Sequence, residues 1–214
     1  MELITATFET LEMTGIALLC AYLIGLPLGV ISNETDKSKK WFNKAIHFIC
    51  QIIIGTGRAI PFTILMVLAL PLTRLLVGTG VGTAATIVPL TLATVPFVAK
   101  IVEQSLDQVT QDIIEAACID GASRIKLIFK IKIGSRLFDL INSCGITSVA
   151  IVSYTAIAGM LGGGGLGNYA ITKGYYHYEW LKVLYATLII VAIVCFLQWL
   201  FKFLSKLVDW RKAK

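Results

Sequence analysis

The 214-residue sequence has little charge, and its charges are unevenly spread. Only 15% of the residues are charged, whereas about a quarter are charged in a typical soluble domain. Four stretches contain no charged side chain, and each is at least about as long as the ~20 residues that cross a bilayer as a helix: 13–33, 75–99, 140–172 and 183–201. This pattern excludes a soluble globular domain. It also excludes a transmembrane barrel, whose strands would alternate over about 10 residues.

Motifs for metal, redox and nucleic-acid chemistry are missing as well. Five cysteines lie far apart without Cys-x-x-Cys or Cys/His spacing, and we interpret them as buried, inert thiols: Cys20, Cys50, Cys118, Cys144 and Cys195. The net charge is +6, but the basic residues lie between apolar segments rather than on one soluble face. We therefore predict no metal site and no nucleic-acid partner.

No arrangement of residues points to an enzyme. The two histidines, His47 and His177, lie near predicted membrane interfaces, and Gly-x-Ser-x-Gly is absent, which argues against an intramembrane hydrolase. Glycines 162, 164 and 167 match the dinucleotide fingerprint in spacing only, because they follow an apolar span instead of a strand. Without a G-x-x-x-x-G-K-[ST] loop, the chain cannot hydrolyse ATP itself. We predict no catalytic residue and no cofactor bound by this chain.

The apolar stretches predict an all-α integral membrane fold of about five transmembrane helices in a single domain, residues 1–214. The predicted spans are 14–31, 45–77, 81–99, 140–161 and 183–201. The second is too long for one straight helix and is interrupted at 55–61. It is either two short crossings or one crossing with an irregular entry. In the first span, Gly25 and Gly29 lie four residues apart beside Pro27, which indicates either a close helix contact or a kink.

The distribution of basic residues orients the chain. If 45–77 crosses once, fifteen Lys and Arg residues fall on one side of the membrane and three on the other. Because cytoplasmic loops carry the excess of Lys and Arg, the N-terminus is predicted outside and the C-terminus in the cytoplasm. A sixth crossing would place the basic cluster at 37–44 opposite the other two clusters, which favours five spans.

The longest polar segment, about residues 101–139, lies on the cytoplasmic side in this topology. Apolar residues recur at helical spacing before and after Gly121, for example Ile113 and Ile125. Glycine is favoured just beyond a helix C-terminus, and Ser123 can cap the next helix. We therefore predict two amphipathic helices joined by a sharp turn. An amphipathic hairpin lying on anionic lipid is the alternative.

The residues around this turn resemble the EAA motif of ABC importer permeases. Glu115-Ala116-Ala117 is followed, after three residues, by Gly121-Ala122. In that family the segment forms a coupling helix that docks in a groove of a cytoplasmic ATPase. The resemblance implies that these five residues couple the chain to such an ATPase. The usual motif continues to Leu-Pro, whereas Ile133-Gly134 stand here, which leaves the end of the second helix open.

Further blocks, at 57–65, 77–82, 87–91 and 159–167, resemble the methionine-uptake branch of these permeases. The resemblance implies the type I ABC importer permease fold, methionine as substrate, and the bacterial cytoplasmic (inner) membrane as location. The implied partners are a second copy of the chain, two ABC ATPase subunits that bind ATP and Mg, a periplasmic or extracellular substrate-binding lipoprotein, and membrane lipid. A permease for another amino acid or small peptide is one alternative. A membrane channel or assembly factor is the alternative from a different class.

Two more sets of residues are expected from their positions in this topology. The fourth span is rich in small and hydroxyl residues, and we expect it to line or close the pore through Ser153, Tyr154, Thr155 and Met160. Glycines on the outer face allow close backbone approach. There we expect the binding protein to dock, on Thr79, Gly80, Gly164, Gly167 and Asn168.

Arg58 lies inside a predicted span. An ionisable residue at such a position suggests a functional site. We interpret it instead as structural, because Arg can snorkel or pair with carbonyls that Gly57 and Pro61 leave free.

Overall fold

The computed structural model describes residues 1–36 and 41–208, and these residues form helices joined by short connections. The helices are α1 (Glu2–Asp36), α2 (Trp41–Ala59), α3 (Phe62–Leu68), α4 (Leu70–Val77), α5 (Thr83–Asp107), α6 (Gln111–Ile119), α7 (Arg124–Lys126), α8 (Leu137–Met160), α9 (Gly165–Tyr169) and α10 (Trp180–Leu207). Two π-helical segments, Leu127–Ile133 and Ala170–Tyr175, continue α7 and α9. Six of the fifteen basic residues that oriented the chain lie outside the described residues: Lys37, Lys39, Lys40, Arg211, Lys212 and Lys214.

Within residues 1–36 and 41–208, four helices are long and apolar enough to cross a membrane: α1, α5, α8 and α10. A fifth candidate is a pair, because α2 and α3 follow each other with a bend of 108°. The all-α fold is confirmed, and five spans result when this pair counts as one. The break lies at Ile60 and Pro61, at the end of the interrupted stretch 55–61. Proline has no N–H for the helical hydrogen bond, and the residue before it disfavours helical backbone.

The spanning helices are longer than the sequence predicted. α1 begins at Glu2 and ends at Asp36, whereas the predicted span was 14–31. Ser32 and Asn33, near its end, are buried and hydrogen bond to side chains of α5. Hydropathy therefore marked only the apolar part of α1, and its polar end continues as helix because side chains of α5 satisfy its polar groups.

Glycine brings α1 and α5 into close contact. A Cβ atom at Gly25 would lie 2.9 Å from the carbonyl oxygen of Val95, and one at Gly29 would lie 2.8 Å from Cβ of Val102. A side chain does not fit at these distances, so the two backbones approach only because the glycines have none. Pro27 lies inside the same continuous helix. Of the two interpretations of this pair, the close helix contact is correct.

The core lies where α1, α3, α5 and α8 meet. Each of these helices contributes a buried side chain to one cluster, which contains Met13, Phe62, Leu90 and Ile151. α10 packs against α8, and in its described length only Ala186, Ile193 and Ser205 are buried. Most of its exposed side chains are large and apolar, which is typical of a face that contacts lipid.

The glycine-rich stretch at 162–182, which lies between the fourth and fifth predicted spans, is largely helical. It contains α9 and the π-helical segment Ala170–Tyr175. The chain enters α9 through Gly164 and Gly165, whose φ angles of +79° and +75° are left-handed. Glycine adopts such angles without strain, so these glycines shape a turn into a helix.

Side chains of α1 cap the start of α9. The N–H of Gly165 donates to Oε2 of Glu9 at 2.7 Å, and the N–H of Leu166 donates to Oγ1 of Thr10 at 2.9 Å. These bonds satisfy N–H groups that a helix start otherwise leaves unpaired. The partners lie 156 residues apart in the chain, so no local pattern could have predicted this helix.

Candidate functional site

The EAA residues form the end of α6 and the turn after it. Gly121 has a φ of +73°, and its N–H donates to the carbonyl oxygen of Cys118 at 3.1 Å. The N–H of Ala122 donates to the carbonyl oxygen of Ala117 at 3.0 Å. These two bonds make a Schellman helix end, in which the residues at the positions of Ala117 and Ala122 come into contact. The spacing of the motif is thus the spacing that a Schellman helix end requires, with the small residues Ala117 and Ala122 in contact.

The second predicted helix forms, but most of it is π-helical. It begins as expected at Ser123, whose Oγ accepts the N–H of Lys126 at 3.4 Å. α7 is three residues long and passes into the π-helical segment Leu127–Ile133. Gly134 does not end the helix, because it keeps right-handed angles of φ −58° and ψ −44°. The chain bends at Arg136 instead, where φ is −111° and ψ is 9°.

The outer surface of the turn combines exposed apolar and acidic side chains. Ile119 is 86% exposed, and Ile125, on the other side of Gly121, is 72% exposed. Glu115 is exposed and has no hydrogen-bond or ion-pair partner among the described residues. Ala117 is buried, so it shapes the helix end rather than the surface. An exposed apolar surface beside charges is typical of an interaction site.

A buried lysine ties the π-helical segment to α1. Nζ of Lys132 donates to Oδ1 of Asn33 at 3.1 Å and also to the carboxylate of Glu34. The side chains of Lys132 and Glu34 are only 9% and 18% exposed. Sequence reasoning missed this contact. The only signal in the sequence is the position of Lys132 between Ile131 and Ile133, which places a cation in an apolar segment. This position does not identify Asn33 and Glu34 as its partners.

A second buried network joins α1, α2 and α5 close to this lysine. Glu103 of α5 is 4% exposed. Its carboxylate accepts hydrogen bonds from Oγ of Ser32 at 2.7 Å, from Nζ of Lys100 at 2.6 Å, and from the side-chain amide of Gln51. A buried carboxylate needs such partners, so this network fixes the relative positions of three helices at one end of the bundle.

The residues expected to line or close the pore divide into exposed and buried ones. Ser153 is exposed, and Met160 is 62% exposed. Tyr154 is half-buried and stacks on Phe62, with ring centroids 4.7 Å apart and planes at 14°. Thr155 is 2% exposed, and its hydroxyl donates to the carbonyl oxygen of Val152 at 2.7 Å. In this conformation Thr155 therefore presents no side-chain surface to a pathway.

The residues expected to dock the binding protein also differ in exposure. Thr79 is exposed, and Gly80, Gly164 and Asn168 are half-buried. Gly167 is buried, and a Cβ atom there would lie 2.5 Å from the carbonyl oxygen of Ala156. Gly167 is therefore a contact between α9 and α8, not an outer surface.

Arg58 borders a cavity of about 200 Å³ between α2, α5 and α8. Six other residues line it: Gly57, Ile60, Phe62, Ala93, Phe97 and Tyr154. Arg58 is exposed, and its side chain has no hydrogen-bond or ion-pair partner among the described residues. The pairing with carbonyls near Gly57 and Pro61 is therefore not formed in the described residues, whereas the snorkelling of Arg58 stays a prediction.

The cysteines are only partly the buried thiols that the sequence suggested. Cys50 is buried and Cys20 and Cys144 are half-buried, whereas Cys118 and Cys195 are exposed. Cys118 lies on the exposed end of α6, and Cys195 lies on the apolar outer side of α10. In the part of the chain that the structure describes, no three His, Cys, Asp or Glu side chains come together as a metal site.

Comparisons with known proteins agree with this architecture. A probable D-methionine transport system permease of Vibrio cholerae is 39% identical over 209 residues, which cover 98% of this chain and 93% of that protein. The methionine import system permease of Bacillus subtilis is 39% identical over 210 residues, which cover 98% and 95%. A chain from the inward-facing MetNI methionine ABC transporter matches with a TM-score of 0.92 at 33% identity, over 98% of this chain and 97% of that one.

The fold is that of a type I importer permease, as this structural likeness indicates. The sequence profile described as "Binding-protein-dependent transport system inner membrane component" matches residues 25–210, most of the chain. The chain is a multi-pass membrane protein and belongs to this family of transport permeases.

Proposed function

We propose that this chain is the permease subunit of an ATP-driven methionine importer. The relatives from V. cholerae and B. subtilis support methionine as substrate, because each aligns with 98% of this chain. As a permease-family member, the chain is a transport subunit and not an enzyme. ATP and Mg bind to a separate ATPase subunit, and this chain supplies the pathway.

The observation that carries the proposal is the exposed helix end at Gly121. It presents Glu115 and two exposed isoleucines on a turn whose shape depends on a left-handed glycine. Such a surface suits insertion into a groove of a cytoplasmic ATPase. Binding of ATP can shift the permease between states only if the contacts of the turn differ between those states.

Two copies of the chain form one pathway in this proposal. Five spans cannot easily enclose a polar route through a hydrocarbon core that is about 30 Å thick. Ser153 and Met160 of α8 are exposed on each copy, and they are available to face the dimer axis together with Tyr154. Thr155 is no longer part of this set. Two ATPase subunits bind the two turns, and membrane lipid surrounds the apolar outer helices.

The substrate-binding lipoprotein docks on the outer face, which includes Thr79, Gly80, Gly164 and Asn168 but not the buried Gly167. This orientation, with the N-terminus outside and the C-terminus in the cytoplasm, is supported by the excess of basic residues on one side. Cysteine at Thr79 or Asn168, in a background without native thiols, should react with an impermeant reagent from outside. A variant that retains only Cys118 should react only after permeabilisation. The reverse pattern would refute the orientation.

Reconstitution tests the function directly. Proteoliposomes that contain the permease, its ATPase and its binding protein should accumulate labelled methionine against a gradient only when ATP is present. Equilibration of methionine without ATP would indicate the channel alternative. Accumulation of a different amino acid or a small peptide, but not of methionine, would reassign the substrate and leave the coupling intact.

A further inference from the structure

We propose that Arg58 contacts the transported amino acid, and that its guanidinium binds the substrate's α-carboxylate in a cavity inside the membrane. This inference rests on the proposed function, because it requires that an amino acid passes through the chain. It adds a substrate site within the permease itself to the docking and coupling surfaces described above.

The break between α2 and α3 positions Arg58 at the cavity. Arg58 lies in the last turn of α2, next to the 108° bend that Pro61 produces. Gly57 lets α2 approach α5 closely, because a Cβ atom there would lie 2.8 Å from Cγ of Pro96. The cavity wall on α5 is formed by Ala93 and Phe97, which lie in the middle of that helix. The guanidinium is therefore set at mid-depth in the bundle rather than at either end.

The charge of Arg58 is uncompensated within the described residues. No acidic side chain of the described residues lines the cavity, and none of these residues forms a hydrogen bond or ion pair with the Arg58 guanidinium. The carbonyl end of α2 offsets part of the charge. A cation among apolar helices is nevertheless costly, so the site favours an anion. A planar guanidinium with parallel N–H groups matches a carboxylate in particular, because it binds both oxygens.

The size and the other walls of the cavity fit a single small amino acid. A volume of about 200 Å³ equals roughly seven waters at ~30 Å³ each, which is enough for one small amino acid. Phe62 and Tyr154 stack on each other at the side of the cavity. An aromatic surface favours an apolar side chain, and thioether sulfur makes favourable contacts with aromatic rings. The cation and the aromatic pair thus match the two ends of methionine.

The test measures binding to the purified permease–ATPase complex in nanodiscs without the binding protein, which would otherwise set the selectivity. Saturation-transfer NMR detects weak binding of methionine, and methioninol, in which an alcohol replaces the carboxylate, is the competitor. The wild-type complex should bind methionine at least about tenfold more tightly than methioninol. Arg58→Gln should weaken methionine binding about tenfold to a hundredfold and abolish this preference. Arg58→Lys should fall in between, because a lysine keeps the charge but lacks the bidentate geometry.

Arg74→Gln is the matched control. Arg74 also lies in the last turn of a helix, α4, and also lacks a partner among the described residues, but it does not line this cavity. This variant should bind methionine like the wild type.

Equal binding of methionine and methioninol by the wild-type complex would overturn the inference, whatever the variants do. Retention of the preference in Arg58→Gln would also overturn it. In either case, ATP-driven methionine uptake by the complete wild-type system would show that the proposed function stands. Failure of that uptake would remove the proposed function and this inference together.

Discussion

Replacement of Lys132 by methionine should loosen the segment that follows the coupling turn. Lys132→Met removes the ammonium but keeps much of the side chain's length and apolar volume. Two interactions are lost: a hydrogen bond to the Asn33 amide at 3.1 Å and the ion pair with Glu34. A hydrogen bond contributes about 1 kcal/mol, and one to a charged group about 1.5–3 kcal/mol. Glu34 is 18% exposed and regains some hydration, so we expect a net loss of about 2 kcal/mol.

A loss of about 2 kcal/mol corresponds to about thirtyfold in an equilibrium constant. Amide hydrogens in Leu127–Ile133 should therefore exchange about thirtyfold faster in Lys132→Met, measured by mass spectrometry on the complex, since exchange reports local opening. Lys130→Met is the matched control, because Lys130 lies on the same segment but is exposed, and its exchange should match the wild type. Equal protection in all three proteins would refute the reasoning from this buried lysine.

Three further predictions concern single positions. Gly121→Val should leave assembly intact but remove the stimulation of ATPase activity by loaded binding protein, because a β-branched residue at φ +73° costs about 1–3 kcal/mol. Gly134→Ala is the control and should retain this stimulation, because Gly134 has right-handed backbone angles and a Cβ atom there would meet only an oxygen at 3.9 Å. Gly29→Leu should reduce the amount of folded protein recovered from membranes, because the leucine side chain would collide with Val102. Normal recovery would contradict the close contact between α1 and α5. Gly15→Leu is the control, because nothing lies within 4 Å of a Cβ atom at that position. Cysteine at position 160 should crosslink to its copy across the dimer in one nucleotide state only; crosslinking in no state would place the gate elsewhere.

The sequence predicted most of the fold because the bilayer leaves few alternatives. A segment in hydrocarbon must satisfy its own backbone groups, so long apolar stretches become helices. α1 and α10 contain their predicted spans, α5 begins two residues after the start of its span, and α8 ends one residue before the end of its span. The turn at Gly121 was equally predictable, because a Schellman helix end depends on a few residues close together in the chain. Both results come from local physical chemistry.

The features that the sequence did not predict depend instead on long-range contacts. α9 is capped by Glu9 and Thr10, and the π-helical segment is tied to α1 through Lys132. Both depend on partners far away in the chain, which a single sequence does not identify. The cavity beside Arg58 was missed for a related reason: the position of Arg58 inside a span was visible, but the cavity is lined by residues of α2, α3, α5 and α8. The contacts of these polar residues therefore became known only from the tertiary structure, whereas the sequence alone predicted that the long apolar stretches are membrane helices.

The coupling turn has two mechanical connections to the membrane helices, and they can be separated. One is covalent: the π-helical segment continues through the bend at Arg136 into α8. The other is the buried contact of Lys132 with the end of α1, and α1 is joined in turn to α2 and α5 through Ser32, Gln51 and Glu103. Lys132→Met weakens only the second connection. If motion of the turn reaches the pathway through α8 alone, this variant should exchange faster but transport normally. A loss of transport with intact ATP hydrolysis would instead assign part of the coupling to α1. The reason is that the turn and α1 can change conformation together only through a contact between them, and the Lys132 contact is the one that this variant removes.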